Sequence, residues 1–237
     1  MNISFIIPAY NEEKYIGQCL ESIITEVKNS NHNYEIIVVN NASLDNTKIE
    51  AEKFSGVKVF DEPRKGTNFA RQKGLDFTKG EYLAYLDADT KIPQGWIKYA
   101  EKAFKENSEM VSLSGPYKYY DIPKLKGIVL SGLWKTTAPV TYKMLGYMIL
   151  GGNFIVKKDS LLSVGGFNTD IKFYGDDMDT AKRLNNAGKV VFDMNFYNYS
   201  SSRRFLNQGV TKLCFKYAVN LIWVVLFNKP FSKNGAL

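Results

Sequence analysis

Tyr82-Leu83-Ala84-Tyr85-Leu86-Asp87-Ala88-Asp89-Thr90 is an apolar run that ends in two carboxylates. Its length and content predict a buried strand delivering acids to its carboxyl edge. Alternate side chains of an extended chain point the same way, so Asp87 and Asp89 face one small volume, where a divalent cation offsets their repulsion. Paired carboxylates with oxygen-seeking Mg²⁺ or Mn²⁺ suit a diphosphate ligand. The competing reading makes Asp87 a turn residue and Asp89 the cap of a helix that Pro93 helps to start. The company the motif keeps decides between them.

Working outward, the same arrangement recurs. Ile3-Ser4-Phe5-Ile6-Ile7-Pro8 is a short apolar strand, followed by Ala9-Tyr10-Asn11-Glu12-Glu13. Asn11 is read as the N-cap of a helix whose stripe is Ile16, Leu20, Ile23, Ile24 and Val27. A second strand over 34–39 ends at Asn40-Asn41-Ala42-Ser43-Leu44-Asp45-Asn46-Thr47, where Asp45 and Thr47 suit turn and cap roles. A third over 57–60 leads through Arg64-Lys65-Gly66 to a helix from Thr67 that carries Arg71. Beyond the central stretch come a helix over 93–106 and a strand over 110–114. Residues 122–150 are apolar and aromatic but broken by Lys135, Pro139 and Lys143, which suits helices lining a cleft or touching lipid. A strand over 151–156, a turn over 163–167, a helix over 176–187 capped by Gly188 and a strand over 189–192 complete the series. Strands alternating with helices predict an α/β fold: an open, mostly parallel sheet with helices on both faces and ligands at the carboxyl ends of its strands.

At 237 residues, 45% apolar and 23% charged, the chain can bury a core. A net charge of +7 implies attraction to polyanions. The lysines are scattered and neither finger spacing nor an RNA-recognition motif is present, so nucleic acid is not an expected partner. Cys19 and Cys214 are too few and too far apart for a disulfide framework or a thiolate metal site. The first apolar run is too short for a signal peptide and lacks a basic lead-in, so a cytoplasmic location is expected. A helix over 213–227 would extend about 22 Å, short of the roughly 30 Å hydrocarbon layer. It is expected to pack on the domain or to touch the inner face of the plasma membrane peripherally.

Four motifs now stand in order: Pro8-Ala9-Tyr10-Asn11-Glu12, the Asn-rich segment through Thr47, Leu86-Asp87-Ala88-Asp89, and Gly175-Asp176-Asp177-Met178-Asp179 after Gly165-Gly166-Phe167. Together they resemble glycosyltransferase family 2, inverting enzymes with the GT-A fold. The resemblance implies a single catalytic domain over 1–200, with a donor-nucleotide half (1–115) and an acceptor half (116–200), and a basic, apolar tail over 201–237. It implies that Pro8, Ala9, Tyr10, Glu12, Asn40, Asn41, Arg71, Asp87 and Ala88 bind the donor. Asp89 would ligate Mn²⁺ or Mg²⁺ bridging the phosphates, and Asp177 would be the base. Asp176, Asp179, Gly152, Asn153 and Arg204 would support the base and acceptor.

Some positions depart from the family. Asn40 and Asn41 stand where an Asp is usual. An amide both accepts and donates, so Asn41 matches the N3–H and O4 edge of uracil and favours a uridine nucleotide. The sole His, His32, lies in a polar loop and is expected to be exposed rather than a metal ligand. Processive members carry Gln-x-x-Arg-Trp, of which Ser201-Ser202-Arg203-Arg204-Phe205 keeps only the Arg, so transfer of a single sugar is expected. Arg203 or Arg204 would close over the diphosphate. The reading is an enzyme moving one sugar from a nucleoside diphosphate to a glycan or lipid-linked acceptor hydroxyl in the cell envelope. Its rivals are a polyprenyl-phosphate sugar transferase, a nucleotidyltransferase, and a degenerate sugar-nucleotide-binding or membrane-binding module.

Overall fold

Ile3, Phe5 and Ile7 point to one face of the first strand and Ile6 to the other, and all are buried. Burial on both faces is what a continuous apolar strand requires. In this computed structural model, residues 1–28, 32–171 and 175–209 are described, with 219 and 223. In chain order the elements are β1 (Asn2–Ala9), α1 (Ile16–Lys28), β2 (Asn33–Asn40), α2 (Thr47–Glu52), β3 (Val57–Asp61), α3 (Thr67–Phe77), β4 (Tyr82–Leu86), β5 (Thr90–Lys91) and α4 (Trp96–Glu106). There follow β6 (Met110–Ser114), β7 (Tyr117–Tyr119), α5 (Lys124–Leu145), β8 (Asn153–Lys157), α6 (Lys158–Ser163), α7 (Asp176–Leu184), β9 (Lys189–Phe192), β10 (Asn198–Ser200) and α8 (Arg203–Gln208).

The main sheet has 7 strands in the order β3-β2-β1-β4-β8-β6-β9. All its pairings are parallel except those of β8, which runs antiparallel to β4 and β6. One face packs on α1 and α4 through Leu20, Ile23, Trp96 and Ile97. The other packs on α3, α6 and α7 through Leu75, Leu161, Ala181 and Leu184. The expected α/β layers are therefore present. A second sheet, β5-β10-β7, was not read from the sequence because its strands are 2 or 3 residues long.

Several boundaries differ from expectation for physical reasons. Asn11 does not cap α1: it adopts φ 54°, and the helix begins only at Ile16. The backbone N–H groups of Asn11, Glu12 and Glu13 instead donate to Ser43 Oγ (3.1 Å), Thr47 Oγ1 (2.7 Å) and Asp45 Oδ2 (3.1 Å). The loops after β1 and β2 are thereby joined. The aromatic stretch forms one 22-residue helix, α5, with Pro139 inside it. His32 is half-buried, bonded to the N-terminal amine (2.8 Å) and 3.6 Å from Glu101. No helix among the described residues is long and apolar enough to cross a membrane. The proposed tail helix and Cys214 lie outside the described residues.

Gly95 opens α4 in the left-handed region without a side-chain cap of its own. The carboxylate of Glu26, in α1, supplies one by accepting from Gly95 N (2.9 Å) and Ile97 N (3.0 Å). Glu26→Ala should destabilise the fold by about 1–3 kcal/mol, because two N–H groups lose a charged acceptor. Scanning calorimetry should then show Tm falling by about 2–4 °C per kcal/mol, with Glu26→Gln intermediate.

Candidate active site

The carboxyl ends of β1, β2 and β4 bring their loops to one edge. There the guanidinium of Arg71, from α3, is almost fully buried. Its Nη1 donates to Asp176 Oδ2 (2.7 Å) and Asp177 Oδ1 (3.1 Å) in the first turn of α7. Gly74, one turn on, lets α3 approach β1: a Cβ there would lie 2.3 Å from Ile6 Cγ2. Asp177 Oδ2 also accepts from Gly151 N (2.9 Å). The base candidate is thus gripped on both oxygens. The helix cap at this point is Gly175, at φ 81°.

Gly151 and Gly152 lie just before β8, where the antiparallel register sets Leu86 against Asn153. A Cβ on Gly151 would fall 1.9 Å from Arg71 Nη2, and one on Gly152 would fall 2.2 Å from Asp87 Oδ2. Only glycines allow both acids to sit against this turn. Asp177, Asp87 and Asp89 are linked through it, since Asp87 raises the pKa of both of the others. Burial and the Asp176 charge push Asp177 up to about 7, against Arg71 and the Gly151 N–H. Burial and Asp87 push Asp89 up to about 6, against Arg203 and Arg204.

On the other flank, Arg203 Nη2 bonds to Glu12 Oε1 and lies 3.2 Å from Asp89 Oδ2. Its guanidinium also covers the Tyr15 ring at 4.5 Å. Burial pushes Glu12 up to about 7, and its Oε2 is buried without a partner. Arg203 thus bridges Glu12 and Asp89, while the more exposed Arg204 also acts on Asp89 through its charge. The pair of arginines was legible in the sequence, but the bridge from Arg203 to Glu12 and Asp89 was not.

Other expected site residues are placed differently. Asn41 is buried, with Nδ2 donating to Glu62 O (3.1 Å) and Arg64 O (2.7 Å) and Oδ1 accepting from Gly66 N (2.9 Å). Its amide shapes the loop before α3 and has no edge left for a base, so the uracil contact drawn at Asn41 is withdrawn. Asn40 donates Nδ2 to Asp61 Oδ1 (2.9 Å) and leaves Oδ1 buried without a partner. Asn153 is also structural: it donates to Gly115 O (3.0 Å) and Phe196 O (2.8 Å) and accepts from Trp96 Nε1 (3.2 Å), so it does not reach an acceptor. Asp179 accepts from Arg183 Nε (2.8 Å), and Arg183 Nη1 donates to Val164 O (2.9 Å) and Gly166 O (2.6 Å). Asp179 therefore supports the Gly165-Gly166 turn. Ala9 and Ala88 pack in the core, which leaves only their backbone to a ligand. Pro8 pairs with Val39 in the sheet. The hydroxyl of Tyr10 accepts from Lys65 Nζ (2.7 Å), and Arg64 is paired in bidentate fashion with Glu62. Tyr117 was missed: its hydroxyl accepts from Gly152 N (2.9 Å).

The donor set suits a hard cation. Asp87 raises the pKa of both Glu12 and Asp89, Asp89 raises that of Glu12, and one Glu12 oxygen is orphaned. Among the described residues no three acids, cysteines or histidines are already arranged as a metal cage. Any cation bound by Asp89 would need oxygens from a ligand to complete its shell.

Residues 4–165 match the family model described as Glycosyl transferase family 2. The chain belongs to that family. It is similar to the minor teichoic acid biosynthesis protein GgaA of Bacillus subtilis, 25% identical over 247 aligned residues covering 97% of this chain and 55% of GgaA. GlyA of Streptococcus pneumoniae is 31% identical over 121 residues, covering 49% of this chain but 17% of GlyA. The chain thus spans about half or less of these relatives. Among solved family 2 and related structures, S. aureus TarS 1-349 in complex with UDP superposes with a TM-score of 0.65 at 22% identity, over 98% of this chain and 68% of that one. Glucosyl-3-phosphoglycerate synthase from Mycobacterium tuberculosis, in complex with Mn²⁺, UDP and product, gives 0.67 at 18% identity, over 98% and 81%. The fold is GT-A, as expected.

For a family 2 enzyme the glycine turn sets a sharp test. Gly152→Ala should displace Asp87 and lower donor affinity at least about tenfold, since a buried clash of this size forces side chains off their rotamers. Titration calorimetry with a Mn²⁺-nucleotide, on protein shown folded by circular dichroism, would measure it.

Proposed function

We propose that this chain transfers one sugar from a nucleoside diphosphate, with UDP favoured, to an acceptor hydroxyl, inverting the anomeric centre. The observation that carries this reading is the grip of Arg71 and Gly151 N–H on Asp177, whose carboxyl is pushed up to about 7 beside Asp176 and Asp87. A base works best when its pKa lies near the operating pH. Asp177 would take the acceptor proton as the acceptor oxygen bonds to the anomeric carbon. The bond from that carbon to the diphosphate oxygen breaks on the opposite face, and the nucleoside diphosphate leaves with the electron pair. Arg71 and Gly151 N–H hold the carboxylate in one orientation and disperse its charge.

Asp89, with Asp87 acting on it, would hold Mn²⁺ or Mg²⁺, which supplies positive charge to the departing diphosphate. Arg203 would move from Asp89 onto the diphosphate as donor enters. The orphaned Glu12 oxygen is free to accept from a ribose hydroxyl. The case for uridine rests on Asn40: one unpartnered acceptor suits the single N3–H of uracil, whereas guanine presents adjacent N–H groups. The names of relatives in wall-polymer synthesis support a cell-envelope glycan as acceptor.

A Mn²⁺-dependent assay of donor turnover tests the reading. UDP should be released from a UDP-sugar; pyrophosphate release would instead indicate nucleotidyl transfer. Asp177→Asn should lower turnover about 10²–10⁴-fold while UDP affinity stays within about twofold by calorimetry. Retained turnover in that variant would mean an acceptor that needs no base, such as a phosphate. UDP should bind more tightly than GDP, and Asn40→Ala should narrow the gap; tighter GDP binding would overturn the uridine assignment.

The pH dependence follows from the raised pKa. Asp177 is active only as carboxylate, so kcat/KM should rise with pH through about 7 and then level. About one molecule in ten is competent one unit below that value. A rate that falls across this range would exclude Asp177 as base.

A further inference from the structure

Between β7 and the first half of α5 lies a groove of about 560 Å³ that the reaction scheme above leaves unused. Its volume falls within the roughly 300–1,000 Å³ of small-molecule sites. Tyr117, Tyr119 and Trp134 wall it, and Lys118, Lys124 and Lys135 line it. No acidic residue does. The groove is joined to the acids through Tyr117, which lines it and accepts from Gly152 N, against which Asp87 packs. Tyr117 also feels the charges of Asp87 and Asp177.

The three lysines are not alike. Lys118 is held over the Tyr197 ring, 3.2 Å from its centroid. Lys124 and Lys135 are exposed and make no ion pair with an acid among the described residues. Their spacing places them on the same side of α5 about three turns apart, with Gly127, Ser131 and Gly132 between them. These small residues open the floor: a Cβ at Gly132 would meet nothing within 4 Å. Aromatic walls suit the C–H faces of a sugar or polyol, and unpaired ammonium groups suit an anion.

We propose that this groove is the acceptor subsite and that it takes a phosphate-bearing glycan or polyol chain. The aromatic walls hold the chain, and Lys124 and Lys135, about 16 Å apart along α5, each pair with a different phosphate of it. The hydroxyl next in line then passes Tyr117 towards Asp177. This rests on the transferase reading, and it names the acceptor's charge, which that reading leaves open.

Titration calorimetry of the full chain with Mn²⁺ and UDP present would use a synthetic glycerol phosphate trimer, its neutral triglycerol counterpart, and polyprenyl monophosphate in detergent micelles. The phosphate trimer should bind at least tenfold tighter than triglycerol, with the difference shrinking as salt rises. Lys124→Gln/Lys135→Gln should remove that preference. Gly132→Leu, which fills the groove from a helix position that tolerates a side chain, should weaken trimer binding at least tenfold. Both variants should bind Mn²⁺-UDP as the parent does, which shows them folded and separates this proposal from the donor reading. Equal binding of trimer and triglycerol, trimer binding unchanged in both variants, or binding of polyprenyl phosphate alone would each overturn the proposal. Loss of Mn²⁺-UDP binding in the parent would instead overturn the transferase reading.

Discussion

The buried guanidinium of Arg71 is the constraint from which the site follows. Asp176 and Asp177 lie next to each other in the chain, and Asp87 acts on Asp177 from a separate strand. Such a group of acids stays together only if a cation stands among them. Removing one partner of a buried pair leaves the rest uncompensated, which typically costs about 3–5 kcal/mol. Neighbouring choices serve this placement. Gly74 lets α3 sit close to β1, Gly151 leaves room for the guanidinium, and Phe167 stands 6.0 Å from it. The Gly165-Gly166 turn, at φ 83° and 68°, aims the segment that carries Phe167.

The second cation behaves differently because of where it is mounted. Arg71 is fixed and buried in the middle of a packed helix, whereas Arg203 begins the 6-residue α8 and its side chain is partly exposed. Arg203 holds Glu12 and Asp89 together without neutralising the group: burial still lifts both acids well above their ordinary values. Two arginines facing Glu12, Asp87, Asp89, Asp176 and Asp177 leave an excess of negative charge. A divalent cation arriving with a diphosphate would correct that excess and offer Arg203 a better-matched partner than a carboxylate shared with Glu12.

Much of this was legible in the sequence. Apolar runs that end in polar residues located the parallel strands, and Arg71 stood out by its place before Gly74. What escaped reading depends on contacts across long separations. Asn41 looked free to read a base, but its amide is taken up by Glu62, Arg64 and Gly66, more than twenty residues on. Asn153 looked like an acceptor contact and is a tie between β8, Gly115 and Phe196. The bridge from Arg203 to Glu12 spans 191 residues, which no local pattern shows. The strands β5, β7 and β10 are too short to show a period, so only their pairing reveals them.

The reversed strand explains why the two halves meet at one point. Had β8 run parallel to β4, its first residues would lie at the amino edge of the sheet, away from every ligand loop. Running antiparallel, it begins at the carboxyl edge, so the Gly151-Gly152 turn is set beside Asp87 by the same register that pairs Leu86 with Asn153. β6 ends at that edge as well. The whole excursion between the two strands, with β7, α5 and the groove they enclose, must therefore leave from and return to the carboxyl edge that carries the acids. The position of the basic groove is thus a consequence of topology. A single inverted strand carries the second half of the chain over the acids, and Tyr117 and Gly152 are where the excursion touches them.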